Sequence, residues 1–223
     1  MLKQLLSLLK EGSLMDQAYN ETVEMINVLG NMFDMSVDYL HSGKVPAKEE
    51  DTYTLDKRVN LLEQKLRRHI YTHLVLNKQQ DLYMSLILVQ IGVDLERVGD
   101  YIKNIYDLRR IIGDLSFNGA IEELTEMEDK IRKMVPRVKA ALEKQDSVAA
   151  TQIQKDYFPL AKLCDQRVEE ILTGSSESES CKNAAMLALY YRYLKRVVAH
   201  LINVASAISN PYDRIGFHPD DII

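Results

Sequence analysis

An internal repeat constrains the fold of this chain more strongly than any single motif, because each half must form the same supersecondary unit. Three pairs of segments correspond in order along the chain: 56–60 (DKRVN) with 165–169 (DQRVE), 95–98 (LERV) with 194–197 (LKRV), and 32–40 with 134–142. Each half holds three helical stretches; the pair 32–40 and 134–142 falls in the first of them, and the two motif pairs fall in the second and third. The repeat therefore predicts an all-α fold made of two tandem three-helix bundles.

Hydrophobic periodicity places the helices of these bundles. The predicted helices cover about 16–40, 48 or 51 to 76, 81–112, 120–143, 147–172 and 182–208. Pro136 and Pro159 fall inside two of them and predict kinks or restarts. Glycine, proline and a Ser/Glu-rich linker separate the helices. We therefore predict a first bundle over 1–115, a second over 116–210, and a C-terminal tail over 211–223.

The third helical stretch carries an apolar stripe with an acidic pair apart from it. Six aliphatic residues share one face of the helical wheel and predict the side that is buried: Ile87, Ile91, Leu95, Val98, Ile102 and Ile105. Glu96 and Asp100 fall on the far side, one turn apart, with Cβ atoms about 6 Å from each other. Their charges repel, and a hard cation bridging the two carboxylates would turn that repulsion into attraction.

A second polar set, made of Asp56, Asn60 and Glu63, lies opposite the apolar face of the preceding helix. If these two helices pack antiparallel, both polar sets lie about 30 Å from the turn between them at 1.5 Å per residue. The sequence therefore predicts that they meet at one groove or outer edge, where a metal ion could bind. The alternative is a solvated acidic face with Arg97 as counter-charge.

Composition excludes several classes of function. The chain has 223 residues, a formal net charge of −5 and no lysine- or arginine-rich run, which argues against nucleic acid as a partner. Apolar runs stay below the roughly 18 residues of a transmembrane helix. The opening MLKQLLSLL lacks a signal-peptide cleavage site and predicts an amphipathic helix, lying on the protein's own core or on a partner. Two cysteines without metal or redox spacing indicate a reduced, cytoplasmic protein.

Other candidate sites are weaker. His69 and His73 have the i, i+4 spacing of a zinc pair, but both fall on the apolar side of their helix, which favours packed histidines. Asp34 and Asp38 repeat the acidic spacing, and their counterparts in the second half are not acids, which favours a solvated face. No nucleophile elbow, phosphate loop or dinucleotide fingerprint occurs. We therefore predict no catalytic residues and no enzyme activity.

The run Asp94–Ile105 (DLERVGDYIKNI) resembles the signature of the PhoU family of phosphate-uptake regulators, and so does 56–63 (DKRVNLLE). The second half follows the family's duplicated layout, so the resemblance covers nearly the whole chain. It implies two three-helix bundles side by side in a cytoplasmic, homodimeric regulator. The implied partners are the ATPase of the phosphate ABC transporter and a sensor kinase. The resemblance also implies iron- or zinc-type ions, singly or in clusters, held by acid-x-x-x-acid pairs.

Position by position, the resemblance assigns the metal ligands of the first repeat to Asp56, Asn60, Glu96 and Asp100. The second repeat departs from the pattern. Asp165 and Glu169 match, and His200 is a further weak candidate there, but Lys195 and Ala199 stand where acids are expected. A lysine ammonium would repel a cation, so we expect this second metal site to be weakened or empty.

Three hypotheses follow from different classes of function. The first is a metal-binding regulatory adaptor in phosphate-starvation signalling, which the resemblance favours. The second is a metal-dependent enzyme on the same carboxylates, which would need a solvent-open metal and a general base. The third is a structural helical scaffold that binds no metal.

Overall fold

The computed structural model describes residues 13–45, 51–77, 81–113, 117–174 and 181–217. Six long helices follow one another in chain order: α1 (Leu14–Ser42), α2 (Thr52–Leu76), α3 (Leu82–Ile112), α4 (Ile121–Lys144), α5 (Ser147–Leu172) and α6 (Cys181–Ser209). Single 3₁₀ turns precede α4 at Asn118–Ala120 and follow α6 at Tyr212–Arg214. These described ranges contain no β-strand, and the all-α prediction is confirmed. The amphipathic helix predicted for residues 1–9 lies outside them.

Local sequence signals fix where the helices begin and end. Ser13 caps α1 through a capping box, in which its hydroxyl accepts from the Asp16 backbone N–H at 3.1 Å while the Asp16 carboxylate accepts from the Ser13 N–H at 3.0 Å. Gly43 ends α1 in the left-handed conformation, with φ of 68°, which glycine adopts without steric cost. Asp146 caps α5 by accepting from two backbone N–H groups.

The helices pack as two groups of three that share one core. Helices α1, α2 and α3 contact one another, as do α4, α5 and α6, while α3 against α6 and α1 against α4 join the halves. The continuous core includes the aliphatic stripe of α3, whose six residues are each no more than 2 % exposed. The predicted pair of three-helix bundles is therefore confirmed, with α3 and α6 back to back at the junction.

Gly92 on α3 permits a close approach of α2. A Cβ atom placed there would lie 3.1 Å from Leu66 Cδ2, closer than most packed side chains tolerate. At Gly99 the added atom would lie 3.4 Å from Leu29 Cδ2, an ordinary contact. The position where α2 comes closest to the α3 backbone at these two glycines is therefore Gly92, one turn before Glu96.

The two helix prolines interrupt neither helix. Both α4 and α5 run through their prolines, at positions 136 and 159, so the predicted restarts do not occur. Both proline rings lie on exposed positions, away from the packed face of their helices. A proline removes one backbone hydrogen bond, and burial of the rest of the helix outweighs that loss.

Candidate functional site

Four carboxylates of α2 and α3 gather where the two helices meet, and we call Asp56, Glu63, Glu96 and Asp100 the acidic cluster. The ammonium of Lys103 joins the two helices at this point. Its Nζ donates to Asp56 Oδ1 at 3.0 Å and to Asp100 Oδ1 at 3.1 Å. The antiparallel register inferred from the turn therefore does bring the two polar sets to one place.

The acidic cluster is more buried than the helical wheel indicates. Asp56 is 9 % exposed and Glu63 is 8 % exposed, so of the two predicted places these side chains lie in a groove and not on an outer edge. Helix α2 packs against both α1 and α3, and this wide contact covers positions that lie opposite the main apolar face. Asn60, one turn beyond Asp56, is half-buried beside them.

Each carboxylate of the acidic cluster has a basic neighbour. Arg97 donates from Nη1 to Asp100 Oδ2 at 3.0 Å, and its Nε lies 3.5 Å from Glu96 Oε2. Arg67 donates to Glu63 Oε1 at 2.5 Å across one turn of α2. Because Lys103 also donates to Asp56 and Asp100, the acidic cluster is an ion-pair network. Arg97 is a counter-charge of this network, as the alternative interpretation of the sequence expected.

The pKa values within the network show which group is least compensated. Burial raises the pKa of Glu96, the neighbouring Asp100, Glu63 and Asp56 charges add to the increase, and Arg97 opposes it. Burial also raises the pKa of Glu63, against the opposing charges of Arg67 and Arg97. Burial acts to lower the pKa of Lys103, but the hydrogen bonds and charges of Asp56 and Asp100 outweigh it and raise that pKa. Glu96 is therefore the carboxylate with excess negative charge around it.

The cluster as arranged does not fit a metal ion. In the part of the chain that the structure describes, no three His, Cys, Asp or Glu side chains stand close enough together to hold one. The oxygens that would face the ion accept hydrogen bonds from Lys103 and Arg97 instead. Carboxylate oxygens remain suitable ligands by chemistry, so metal binding stays a prediction that requires these cations to withdraw.

The second-repeat candidates do not come together. Asp165 lies 3.1 Å from the ammonium of Lys195 and 3.6 Å from Arg192, while Glu169 is exposed. His200 is five residues beyond Lys195, which turns it about 140° around α6. It therefore faces α3 rather than α5.

Sequence reasoning missed the partner of His200, which is Asp94 of α3. Asp94 is 3 % exposed. Its Oδ1 accepts a hydrogen bond from Asn203 at 2.9 Å and lies 2.8 Å from His200 Nδ1. Its Oδ2 accepts a hydrogen bond from Gln90 at 2.9 Å. The Nε2 atom of His200 is buried without a partner among the described residues. These groups form the Asp94 hub, which links the two bundles. The sequence feature that could have revealed this hub is the position of Asp94, which lies two helical turns after Ile87 on the apolar stripe itself.

Residues 22–108 match the family model of the PhoU domain. The matched segment contains both acidic motifs and Asp94. The chain carries a PhoU domain. The family resemblance read from the sequence is thereby confirmed for this segment.

Solved structures extend this likeness to the second half of the fold. The phosphate transport system regulatory protein PhoU from Streptococcus pneumoniae superposes with a TM-score of 0.74 at 16 % sequence identity, over 87 % of this chain and 92 % of that one. At this identity the likeness concerns the fold. Among curated proteins, no significant match is found.

The three histidines within the matched segment 22–108 are each held by a carboxylate. His69 Nδ1 lies 3.0 Å from Glu21, and His73 Nε2 lies 3.1 Å from Asp81, so the two rings have different partners. His41 Nε2 lies 2.9 Å from Glu128 of α4, whose Oε1 also accepts from Tyr190. These contacts tie helices together, as expected for packed histidines.

We expect Glu96→Gln to stabilise the PhoU domain at neutral pH. The raised pKa of Glu96 means that the fold favours the protonated carboxyl. That contribution is complete below the ordinary pKa of 4.5 and is lost as pH rises through the folded-state pKa. Glutamine stays neutral throughout, and removing the like charge should add about 0.5 kcal/mol at pH 7.5. Urea unfolding at pH 7.5 and pH 4 tests this, since the gain should disappear at pH 4.

Proposed function

We propose that the protein is a cytoplasmic regulator of phosphate uptake and phosphate-starvation signalling. In this role it acts as a helical adaptor between the ATPase of a phosphate transporter and a sensor kinase. The observation that carries the proposal is the PhoU domain over residues 22–108, set in a fold shared along almost its full length with a phosphate transport regulator. No described helix is both long enough and apolar enough to span a bilayer.

A regulator of this kind acts by contact and not by turnover. The buried polar groups of the chain, including the Asp94 hub and Glu128, bridge helices within the core, which suits a rigid body that presents its outer faces to partners. We propose that it does so as a homodimer and without a catalytic role of its own. A metal-dependent enzyme would need an open metal position, and the acidic cluster is closed by Lys103 and Arg97.

Co-purification from the source cells tests the adaptor role. A tagged chain expressed at its natural level should recover the transporter ATPase and the sensor kinase after mild crosslinking, and an untagged strain provides the background. The purified chain should also run as a dimer in light scattering. If the tagged chain is itself detected in the crosslinked sample and neither partner is recovered with it, the adaptor role is ruled out.

Lys103 gives a direct test of whether the acidic cluster holds a metal ion. Its ammonium sits between Asp56 and Asp100, where the family resemblance places a cation. Removing one positive charge at about 3–4 Å is worth at least a factor of ten in cation affinity, even at a high effective dielectric constant. We therefore expect Lys103→Met to bind Zn²⁺ or Fe²⁺ at least about tenfold more tightly than the wild type in equilibrium dialysis.

Two variants serve as controls for this measurement. Lys130→Met removes an exposed charge on α4, and should leave the affinity unchanged. Glu96→Ala/Asp100→Ala should abolish the gain when added to Lys103→Met. Equal metal affinity in the wild type and Lys103→Met, with both folded by circular dichroism, would show that the acidic cluster is no cation site.

A further inference from the structure

The outer face of α2 has an unusual charge pattern for a chain of net charge −5. Both acids of α2, Asp56 and Glu63, are buried towards its neighbours. All five lysines and arginines of the helix are exposed: Lys57, Arg58, Lys65, Arg67 and Arg68. The solvent face of α2 therefore presents cations and no carboxylate of its own.

Three of these five cations form no hydrogen bond or ion pair within the described part of the chain. Arg58 pairs with Glu24 of α1, and Arg67 pairs with Glu63. Lys57, Lys65 and Arg68 make no hydrogen bond or ion pair with any residue that the structure describes. The charge of Lys65 lies near the Glu21 carboxylate of α1, whose pKa it acts to lower, whereas Lys57 and Arg68 have no such neighbour among the described residues. The face thus keeps an excess of positive charge that is available to an anionic surface.

Exposed apolar side chains continue this face towards the end of α2. Tyr71 is 70 % exposed, Val75 is 61 % exposed and Leu76 is 68 % exposed, all within two turns of the helix. Leu82 and Leu86, on the first turns of α3, are 43 % and 39 % exposed at the same end of the helix pair. Exposed apolar side chains grouped at one end of a helix pair are typical of an interaction surface. We call this apolar group, together with the cations of α2, the α2 face.

The second repeat shows that this pattern is not a general property of the fold. Its counterpart of α2 is α5, which exposes both signs of charge on its outer side. The exposed charged residues of α5 include Lys155, Asp156, Lys162, Asp165 and Glu169. An exposed face with cations and no acid of its own therefore belongs to α2, although both helices hold the same place in their bundles.

We propose that the α2 face binds the surface of a bilayer that contains anionic phospholipids. Cations occupy the first part of the face, from position 57 to 68, and the protruding apolar residues occupy the end, with Tyr71 between them. Lysine and arginine bind anionic headgroups, and tyrosine with aliphatic residues enters the interfacial layer. The proposal stands independently of the regulatory role proposed above.

The shape of the α2 face favours a lipid surface over an acidic partner protein. Helix α2 packs on α1 and α3 with its opposite side, so the α2 face is a convex ridge. A partner helix binds most readily in a groove, whereas a fluid bilayer deforms around protruding side chains. The ridge is also about 36 Å long at 1.5 Å per residue, which lets several headgroups bind at once.

Vesicle co-sedimentation tests the proposal with the full-length chain. Vesicles of phosphatidylcholine alone are compared with vesicles that contain phosphatidylglycerol as well, at low and high salt. We expect binding to the anionic vesicles only, and we expect it to weaken as salt screens the charges. Lys57→Gln/Lys65→Gln/Arg68→Gln should lower the affinity at least tenfold, since each cation near such a surface contributes about fivefold.

A matched variant controls for the loss of net charge. Lys130→Gln/Lys133→Gln/Lys162→Gln removes three exposed lysines from α4 and α5, and should bind vesicles like the wild type. Tyr71→Ser/Val75→Ser should also weaken binding, with the salt dependence retained. Equal loss in both triple variants overturns the proposal, as does equal binding to neutral and anionic vesicles. Binding to polyglutamate without binding to vesicles overturns it too, and would indicate an acidic protein partner.

Discussion

Val98→Asp is expected to lower the free energy of unfolding by about 4 kcal/mol or more, because it places an unpaired charge inside the core. Val98 is 1 % exposed and lies in the middle of the α3 stripe, where α3 contacts α1, α2 and α6. The polar group one turn away on the stripe is Asp94, an acid that already holds His200 and Asn203, so it offers the new carboxylate no partner. Urea unfolding followed by circular dichroism measures the change.

The control for Val98→Asp is Val75→Asp, which introduces the same charge on a residue that is 61 % exposed. A surface substitution of this kind is expected to change the stability by no more than about 0.5 kcal/mol. A similar loss in the two variants would mean that the stripe of α3 does not face the core. If the Val98→Asp variant is too unstable to purify, Val98→Thr is measured instead. For Val98→Thr we expect a smaller loss of about 1–2 kcal/mol.

Asp94→Ala is expected to cost about 3 kcal/mol, because it removes a buried acceptor shared by three partly buried donors. His200 and Asn203 would each lose a hydrogen bond across the junction between the bundles, and Gln90 would lose one within α3. Since the hub joins α3 to α6, we also expect faster amide exchange along α6 than along α1. Thermal unfolding combined with hydrogen exchange measures both effects.

Asp94→Asn separates the hub from a general effect of losing a charge. The amide oxygen keeps one acceptor, so Asp94→Asn should lose only about half as much stability as Asp94→Ala. Asp129→Ala removes an exposed acid and should cost less than about 0.5 kcal/mol. If Asp94→Ala were as stable as the Asp129 variant, the junction between the bundles would not depend on this carboxylate.

The sequence predicted those features that follow from periodicity and register. The spacing of Ile87 to Ile105 identified the buried stripe of α3, because a helix repeats every 3.6 residues wherever it packs. Counting residues on either side of the turn at position 77 brought Asp56 level with Asp100, and Lys103 bridges the two. Both inferences need only helix geometry.

Features that depend on neighbouring elements were not predictable in this way. A helical wheel does not show that α1 and α3 together bury Asp56 and Glu63. Nor does it show that Lys103, one residue before Asn104, extends across to α2. The hub required knowing that α3 and α6 pack back to back, since Asp94 and His200 are 106 residues apart in the chain.

The rate of phosphate uptake in cells that lack this chain is the measurement closest to the proposed regulatory role. Uptake of labelled phosphate is compared between phosphate-rich and phosphate-poor media, in the wild type, the deletion and the deletion complemented with the intact chain. We expect the deletion to lose the difference in uptake between the two media and the complemented strain to regain it. A deletion strain that adjusts its uptake as the wild type does would contradict a role in regulating phosphate transport.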